Sequence, residues 1–177
     1  MKAGDKMKKE NEYTDYISKD SDGNVFISFE KKDEKLIGEE CRPLTHCLAV
    51  VRINGDYLLG WNKWRERYEI FGGCIEENET PRECIIRECF EELGCTERDF
   101  VYLGAMKFLL APDYFSPTER IEYGALYGIT LPNDSLSEIY ARVKDKEEIK
   151  KLALYGEITG KEPVADIDSR LFDYYKD

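Results

Sequence analysis

Apolar residues recur at the spacing of strands over much of the first three quarters of the chain. "NVFISFEKK" (24–32) follows a turn at Asp22-Gly23 and predicts a strand. "HCLAVVR" (46–52) and "YLLGW" (57–61) flank Asn54-Gly55, a two-residue hairpin turn in which both residues take positive φ. "VYLGAMKFLL" (101–110) and "IEYGALYGITL" (121–131) predict two more strands, with Pro112 and Pro117 in the loop between them. The period changes from two to about four between residues 81 and 93. There Ile85, Cys89 and Leu93 recur at spacing four, with Ile86 and Phe90 beside them, which predicts the buried stripe of a helix. Thr80 caps that helix, Pro81 takes its first position, Glu83 completes a capping box and Gly94 suits the left-handed stop. "DKEEIKKLALYGEI" (145–158) and "ADIDSRLFDYYK" (165–176) predict further helices. Strands, one helix, more strands and then helices make a mixed α/β domain whose sheet is partly antiparallel.

A chain of 177 residues suits one domain, and 42% apolar residues suffice for a core despite 36% charged ones. Residues 1–20 are charged, lack periodicity and read as mobile. Net charge −11 argues against binding a nucleic-acid polymer, which needs a basic surface. It does not argue against nucleotides, since a bound divalent cation inverts the local charge. No apolar run spans a membrane, and the N-terminal segment lacks the apolar centre of a signal peptide. The expected address is cytoplasmic. The six cysteines include no C-x-x-C pair and the single histidine is His46. Most of these thiols therefore read as small buried apolar groups, and a zinc site is not expected.

Charge matters most between Gly72 and Cys95, where Glu76, Glu77, Glu79, Glu83, Glu88, Glu91 and Glu92 crowd together. On a helical wheel Glu88, Glu91 and Glu92 share one side, with Arg87 at its edge. Like charges at spacings three and four destabilise an isolated helix by a few tenths of a kcal/mol per pair. Such a cluster is either a tolerated solvated face or a binding site for a hard cation and the phosphates it brings.

The order of residues resembles the signature of Nudix hydrolases. Gly73, Glu79, Arg87, Glu88, Glu91, Glu92 and Gly94 fill the fixed positions of the Nudix box. Cys89 and Cys95 replace the usual aliphatic residues, and Phe71 stands where proline is frequent. The resemblance implies a Nudix fold, a mixed β-sheet sandwiched between α-helices, over residues 41–177. Residues 1–40 are then an N-terminal extension: a mobile lead, an added strand pair or a dimer arm. It also implies Mg2+-dependent hydrolysis of a nucleoside diphosphate linked to another moiety, with Mn2+ as a substitute metal. By position, Glu88, Glu91 and Glu92 would hold metal together with the carbonyl of Gly72. Arg87 would orient a carboxylate of the cluster, and Glu79 would support the loop or reach the metal through water. Glu88 and Glu91, with Glu119 in a later loop, are the candidates for proton transfer.

For the substrate, two resemblances compete. "FSPTERIEYGALYGI" (115–129) resembles the loop of ADP-ribose pyrophosphatases, and by that likeness Glu119 supplies an extra catalytic carboxylate, with Glu122 its rival as a metal ligand. "YEIFGG" (68–73) instead resembles enzymes that hydrolyse oxidised nucleoside triphosphates. Tyr68, Tyr114, Phe115 and Tyr123 are the candidates for a wall against a base or sugar. Lys63, Arg65 and Arg67, beside Trp61 and Trp64, are candidates for phosphate contact or simply a solvated loop. His46 reads as structural. The expected partner is a small nucleotide; a homodimer is open. The alternative readings are a Nudix-fold module that senses a nucleotide without cutting it, and the isopentenyl diphosphate isomerase branch, for which Cys47 is the sole candidate thiol.

Overall fold

A computed structural model describes residues 15–114 and 116–176. In chain order the strands are β1 (Ser18–Lys19), β2 (Val25–Glu30), β3 (Leu44–Ile53), β4 (Asp56–Asn62), β5 (Arg67–Glu69), β6 (Phe71–Cys74), β7 (Val101–Leu110), β8 (Arg120–Thr130) and β9 (Ile149–Leu154). The helices are α1 (Ile37–Glu40), α2 (Pro81–Leu93), α3 (Leu136–Arg142), α4 (Tyr155–Ile158) and α5 (Asp166–Leu171). Among the described residues the strands form one sheet in the order β1-β2-β7-β8-β3-β4-β5. β6 is added on β3 and β9 on β4. β3 and β8 run parallel; the other named strand pairs are antiparallel.

Each sheet face buries its own core. Along β3, Cys47, Ala49, Val51 and Ile53 face a core shared with α1, α2 and α3. Val50 faces the other core, built with Ile158 of α4, Ile167 and Leu171 of α5, and Phe172. The period of two in the sequence is thus the alternation between two helical layers, and the sandwich expected from the family resemblance is present. The N-terminal extension adds strand rather than loose chain from Ser18 onward, since β2 pairs with β7. The mobility expected of residues 1–20 falls mostly on residues 1–14, outside the described ones.

Local chemistry sets the ends of α2. The Thr80 hydroxyl accepts from the Glu83 N–H, the Glu83 carboxylate accepts from the Thr80 N–H, and Gly94 closes the helix at φ 60°. Of the stretch 145–158 expected to be helical, Tyr155–Ile158 is helix α4, while Ile149–Leu154 corrects the expectation. Leu152 and Leu154 pack on one core and Ala153 on the other, as strand β9 along the edge of β4. Lys, Leu and Ala favour a helix locally, but an open sheet edge supplies hydrogen bonds and burial that a short helix there would not. α3 was not anticipated, although Ser135 and Glu138 form a capping box that marks its start. Two further corrections concern side chains. Phe90 is exposed, with Lys144 Nζ 5.7 Å from its ring centre. Cys47 and Cys84 form a disulfide between β3 and α2, with 6.6 Å between their Cα atoms.

Candidate active site

The acidic face of α2 lies against β6. Gly72, at φ 136°, sits so close to β3 that a Cβ there would collide with the Cys47 carbonyl. A Cβ on Gly73 would strike the Glu88 carboxylate. Two glycines thus let the backbone meet two box carboxylates directly. The Gly72 N–H donates to Glu92 Oε2 at 2.8 Å. Glu92 is 7% exposed, and burial pushes its carboxyl well above the usual carboxylate range, with Glu88, Glu148 and Glu69 adding to the rise. Glu88 is also raised by burial, against the pull of Arg87.

Arg87 organises the loop between β6 and α2. Its Nε and Nη2 donate to both oxygens of Glu79 at 2.8 and 2.9 Å, and its Nη1 donates to Glu88 Oε1 at 2.7 Å. Its Nη2 also reaches the Cys74 carbonyl at 3.1 Å. The bidentate pair holds Glu79 below its ordinary pKa and Arg87 above its own. Glu91 stands half exposed at the rim, 3.5 Å from Arg87 Nη1.

Glu92 and Gly72 open on a polar cavity of ≈ 250 Å³ whose other walls include Asn62, Arg65, Arg67, Glu69, Glu148 and Asp168. Arg65 and Arg67 both donate to Glu69, at 2.7 and 2.8 Å. Burial raises the Glu148 carboxyl. An adjoining cavity of ≈ 150 Å³ shares Leu48, Arg67 and Asp168 and is walled by Phe108, Leu110 and Ile167. Asp168 stands where the two meet; its Oδ2 accepts from the Ile70 N–H at 2.9 Å. Burial pushes its carboxyl up to about 7. The folded chain therefore binds this proton more tightly than the unfolded chain, whose aspartate titrates near 4. The penalty of the ionised form is fully present above pH 7 and is relieved as pH falls toward 4. Asp168→Asn keeps an acceptor for Ile70. At pH 8 the variant is expected to be more stable than wild type by about 2 kcal/mol, a value discounted because the carboxyl faces a cavity. The difference should vanish near pH 4, and denaturant melts of both proteins across that range would show it.

The structure gathers some sequence candidates and scatters others. Glu79, Arg87, Glu88, Glu91, Glu92 and Gly72 lie together at the junction of β6 and α2. Glu122 lies on β8, where it accepts from Thr45 Oγ1 and Arg120 Nε, both at 2.6 Å; like Glu88 and Glu91 it stands outside the lining of the Glu92 cavity, but it is not on α2. Glu119 is exposed in the preceding loop. Tyr68 is 3% exposed, packed edge-on against Trp61 with Lys151 Nζ 5.1 Å from its ring centre. Tyr114 is 98% exposed, and Phe115 lies outside the described residues. His46 is part-buried in β3 and lines the adjoining cavity, its Nδ1 3.0 Å from Thr45 Oγ1, and desolvation lowers its pKa to about 4. Sequence reasoning missed Glu148, Asp168 and Phe108. Glu148 was hidden in a stretch read as helix, where an acid looks like part of a solvated face.

Among the described residues, no three Asp, Glu, His or Cys side chains converge into a closed metal cage, and no helix is long and apolar enough to cross a membrane. A profile of the NUDIX domain matches residues 43–166, more than half of the chain. No curated protein matches it. Among solved structures, the pyrophosphohydrolase BsRppH of Bacillus subtilis is 22% identical, with 85% of each chain covered and a TM-score of 0.59. A MutT NUDIX hydrolase from Burkholderia pseudomallei is 15% identical over 74% of this chain and 96% of its own, with a TM-score of 0.57. A MutT protein from Methanosarcina mazei Go1 is 19% identical over 73% and 90%, with a TM-score of 0.53. At these identities the three structures establish a shared fold.

Proposed function

This chain belongs to the Nudix family of hydrolases, and from that premise we propose that it is a Mg2+-dependent nucleotide pyrophosphatase. One observation carries the reading: buried Glu92, held by the Gly72 N–H, shares a polar cavity with a second raised carboxylate, Glu148, and two arginines. Buried like charges are costly unless a cation joins them. The donors present are carboxylate and carbonyl oxygens, which fit a hard cation. An incomplete cage also fits Mg2+, which keeps waters and takes substrate phosphate oxygens as its remaining ligands.

In this reading Glu88, Glu91, Glu92, Glu148 and the Gly72 carbonyl hold the metal. Bound Mg2+ supplies neutralisation of the phosphate charge and acidification of a water. Arg87, clamped to Glu79, fixes the Glu88 carboxylate and the loop of Gly73. Arg65 and Arg67, oriented by Glu69, bind phosphate oxygens on the far side of the cavity. Glu91, at the exposed rim, accepts the proton of the attacking water. The adjoining cavity takes the nucleoside, its planar ring against Phe108, Leu48 and Ile167 and its polar edge toward Asp168. That wall replaces the tyrosines proposed on sequence grounds. Glu119 and Glu122 then act outside the reacting centre.

The test is a coupled phosphate-release screen with Mg2+: ordinary and oxidised nucleoside triphosphates with inorganic pyrophosphatase added to split the pyrophosphate product, and ADP-ribose, dinucleoside polyphosphates and nucleotide sugars with alkaline phosphatase added to free phosphate from the monoester products. Release is expected from wild type and is expected to fall by at least about 100-fold in Glu91→Gln. No release from any compound, with tight nucleotide binding retained, would favour the non-catalytic sensing module.

A further inference from the structure

Asn62 ends β4 at 3% exposure, one of three buried polar or charged residues among the described ones; another is Glu92. Its Oδ1 accepts from two backbone N–H groups, Trp64 at 3.0 Å and Arg65 at 3.1 Å. That fixes which end of the amide is which, because only the oxygen can accept from both. Nδ2 then necessarily faces Glu148, and it donates to Oε1 at 2.8 Å. The Lys63 N–H donates to the Glu148 carbonyl at 3.0 Å, so backbone and side chain of Glu148 are both tied to this turn.

A turn alone does not require an amide here. The two Oδ1 contacts are those of an Asx turn, which aspartate or serine also makes. What asparagine adds is a neutral donor aimed at a part-buried carboxylate. An arginine in its place would cancel the charge of Glu148; the amide orients the carboxylate and leaves its charge available to a cation. The same side chain positions the backbone of Arg65, whose guanidinium lies on the cavity wall.

We propose that Asn62 is a positioning residue that aims Glu148 across the cavity toward the metal site of Glu92. The inference rests on the assignment of Glu148 to the cation made above. Its test uses the metal alone. Mn2+ is titrated into full-length wild type, Asn62→Ser, Glu148→Gln and the double variant, with free Mn2+ read by electron paramagnetic resonance. Serine keeps acceptors for Trp64 and Arg65 but does not reach Glu148; Asn62→Thr serves if the serine variant fails to fold. Loss of an outer partner typically weakens metal binding about 10–100-fold, and that loss is expected for Asn62→Ser with a metal-free melting temperature near wild type. The double variant is expected to bind no more weakly than Glu148→Gln alone, because Asn62 acts through Glu148. Wild-type affinity in folded Asn62→Ser, or losses that add in the double variant, would overturn the role of Asn62. Wild-type affinity in Glu148→Gln would instead overturn the placement of Glu148 at the metal, and this inference with it.

Discussion

Glu92→Gln is expected to lower kcat by about 10³-fold, ~4 kcal/mol of lost transition-state stabilisation, while raising the melting temperature of the metal-free protein. Both effects follow from one carboxylate. Glu92 is buried, raised well above its ordinary pKa by that burial, and set among Glu88, Glu148 and Glu69. Without a cation its charge is met by the Gly72 N–H, its hydrogen-bond donor among the described residues. Glutamine keeps an acceptor for that N–H and removes the charge, so the fold loses a repulsion and keeps a hydrogen bond. With Mg2+ the order reverses. Wild type is expected to gain melting temperature at millimolar Mg2+, since an ion that binds only the folded chain stabilises it by mass action. The variant is expected to gain little. Thermal melts with and without Mg2+, run beside turnover on the best substrate of the screen, read both effects. Undiminished turnover would remove Glu92 from the site. A metal-free variant that melts several degrees lower would make the carboxylate a structural element.

Glu92 also marks how far the sequence reaches. Its neighbours in the chain specify α2 almost completely: Thr80 and Glu83 close the capping box, Pro81 starts the helix and Gly94 takes the left-handed stop. Asn54 and Gly55 likewise take positive φ in the hairpin turn. These features are local, and a few residues with fixed backbone preferences decide them. The box residues meet at the junction of β6 and α2 because the same short segment carries them. What faces that junction from elsewhere was not legible. Glu148 belongs to a stretch whose composition favours helix, and it reaches the cavity because β9 pairs with the edge of β4. Asp168 lies in a correctly expected helix, yet nothing local shows that its carboxyl would be drawn under Ile70. Tyr68 and Tyr114 show the same limit in reverse. Each is near the box in sequence, but one is buried against Trp61 and the other is exposed in a loop. Pairing between distant strands decides these positions, and it leaves no periodic trace in the segments it joins.

The cysteines carry the second large effect. Reducing the Cys47–Cys84 bond is expected to destabilise the chain by ~3–4 kcal/mol, from loop-closure entropy for a separation of 37 residues. For a chain of this length that is a fall in melting temperature of about 10 °C. The bond joins β3, at the residue paired with Gly73, to the first turns of α2. It therefore clamps the acidic helix to the strand that seats the box glycines. Both residues are fully buried, so a reductant reaches the bond only when α2 lifts from the sheet, and reduction of the native protein should be slow. Protein purified without added thiol or disulfide and then denatured should show four reactive thiols, those of Cys41, Cys74, Cys89 and Cys95. After reduction it should show all six cysteines of the sequence. Six thiols before reduction, or equal melting temperatures for the two forms, would remove the clamp. The address expected from the sequence sharpens the point. In a reducing cytoplasm such a pair is kept as thiols, and there α2 would be seated by the packing of Ile85, Cys89 and Leu93 against the sheet and by the hydrogen bonds of the Gly72 N–H to Glu92 and of Arg87 to the Cys74 carbonyl. The oxidised and reduced chains would then differ most where the box carboxylates meet Gly72 and Gly73. A comparison of Mg2+-induced melting shifts in the two forms measures how much of that geometry the covalent link supplies.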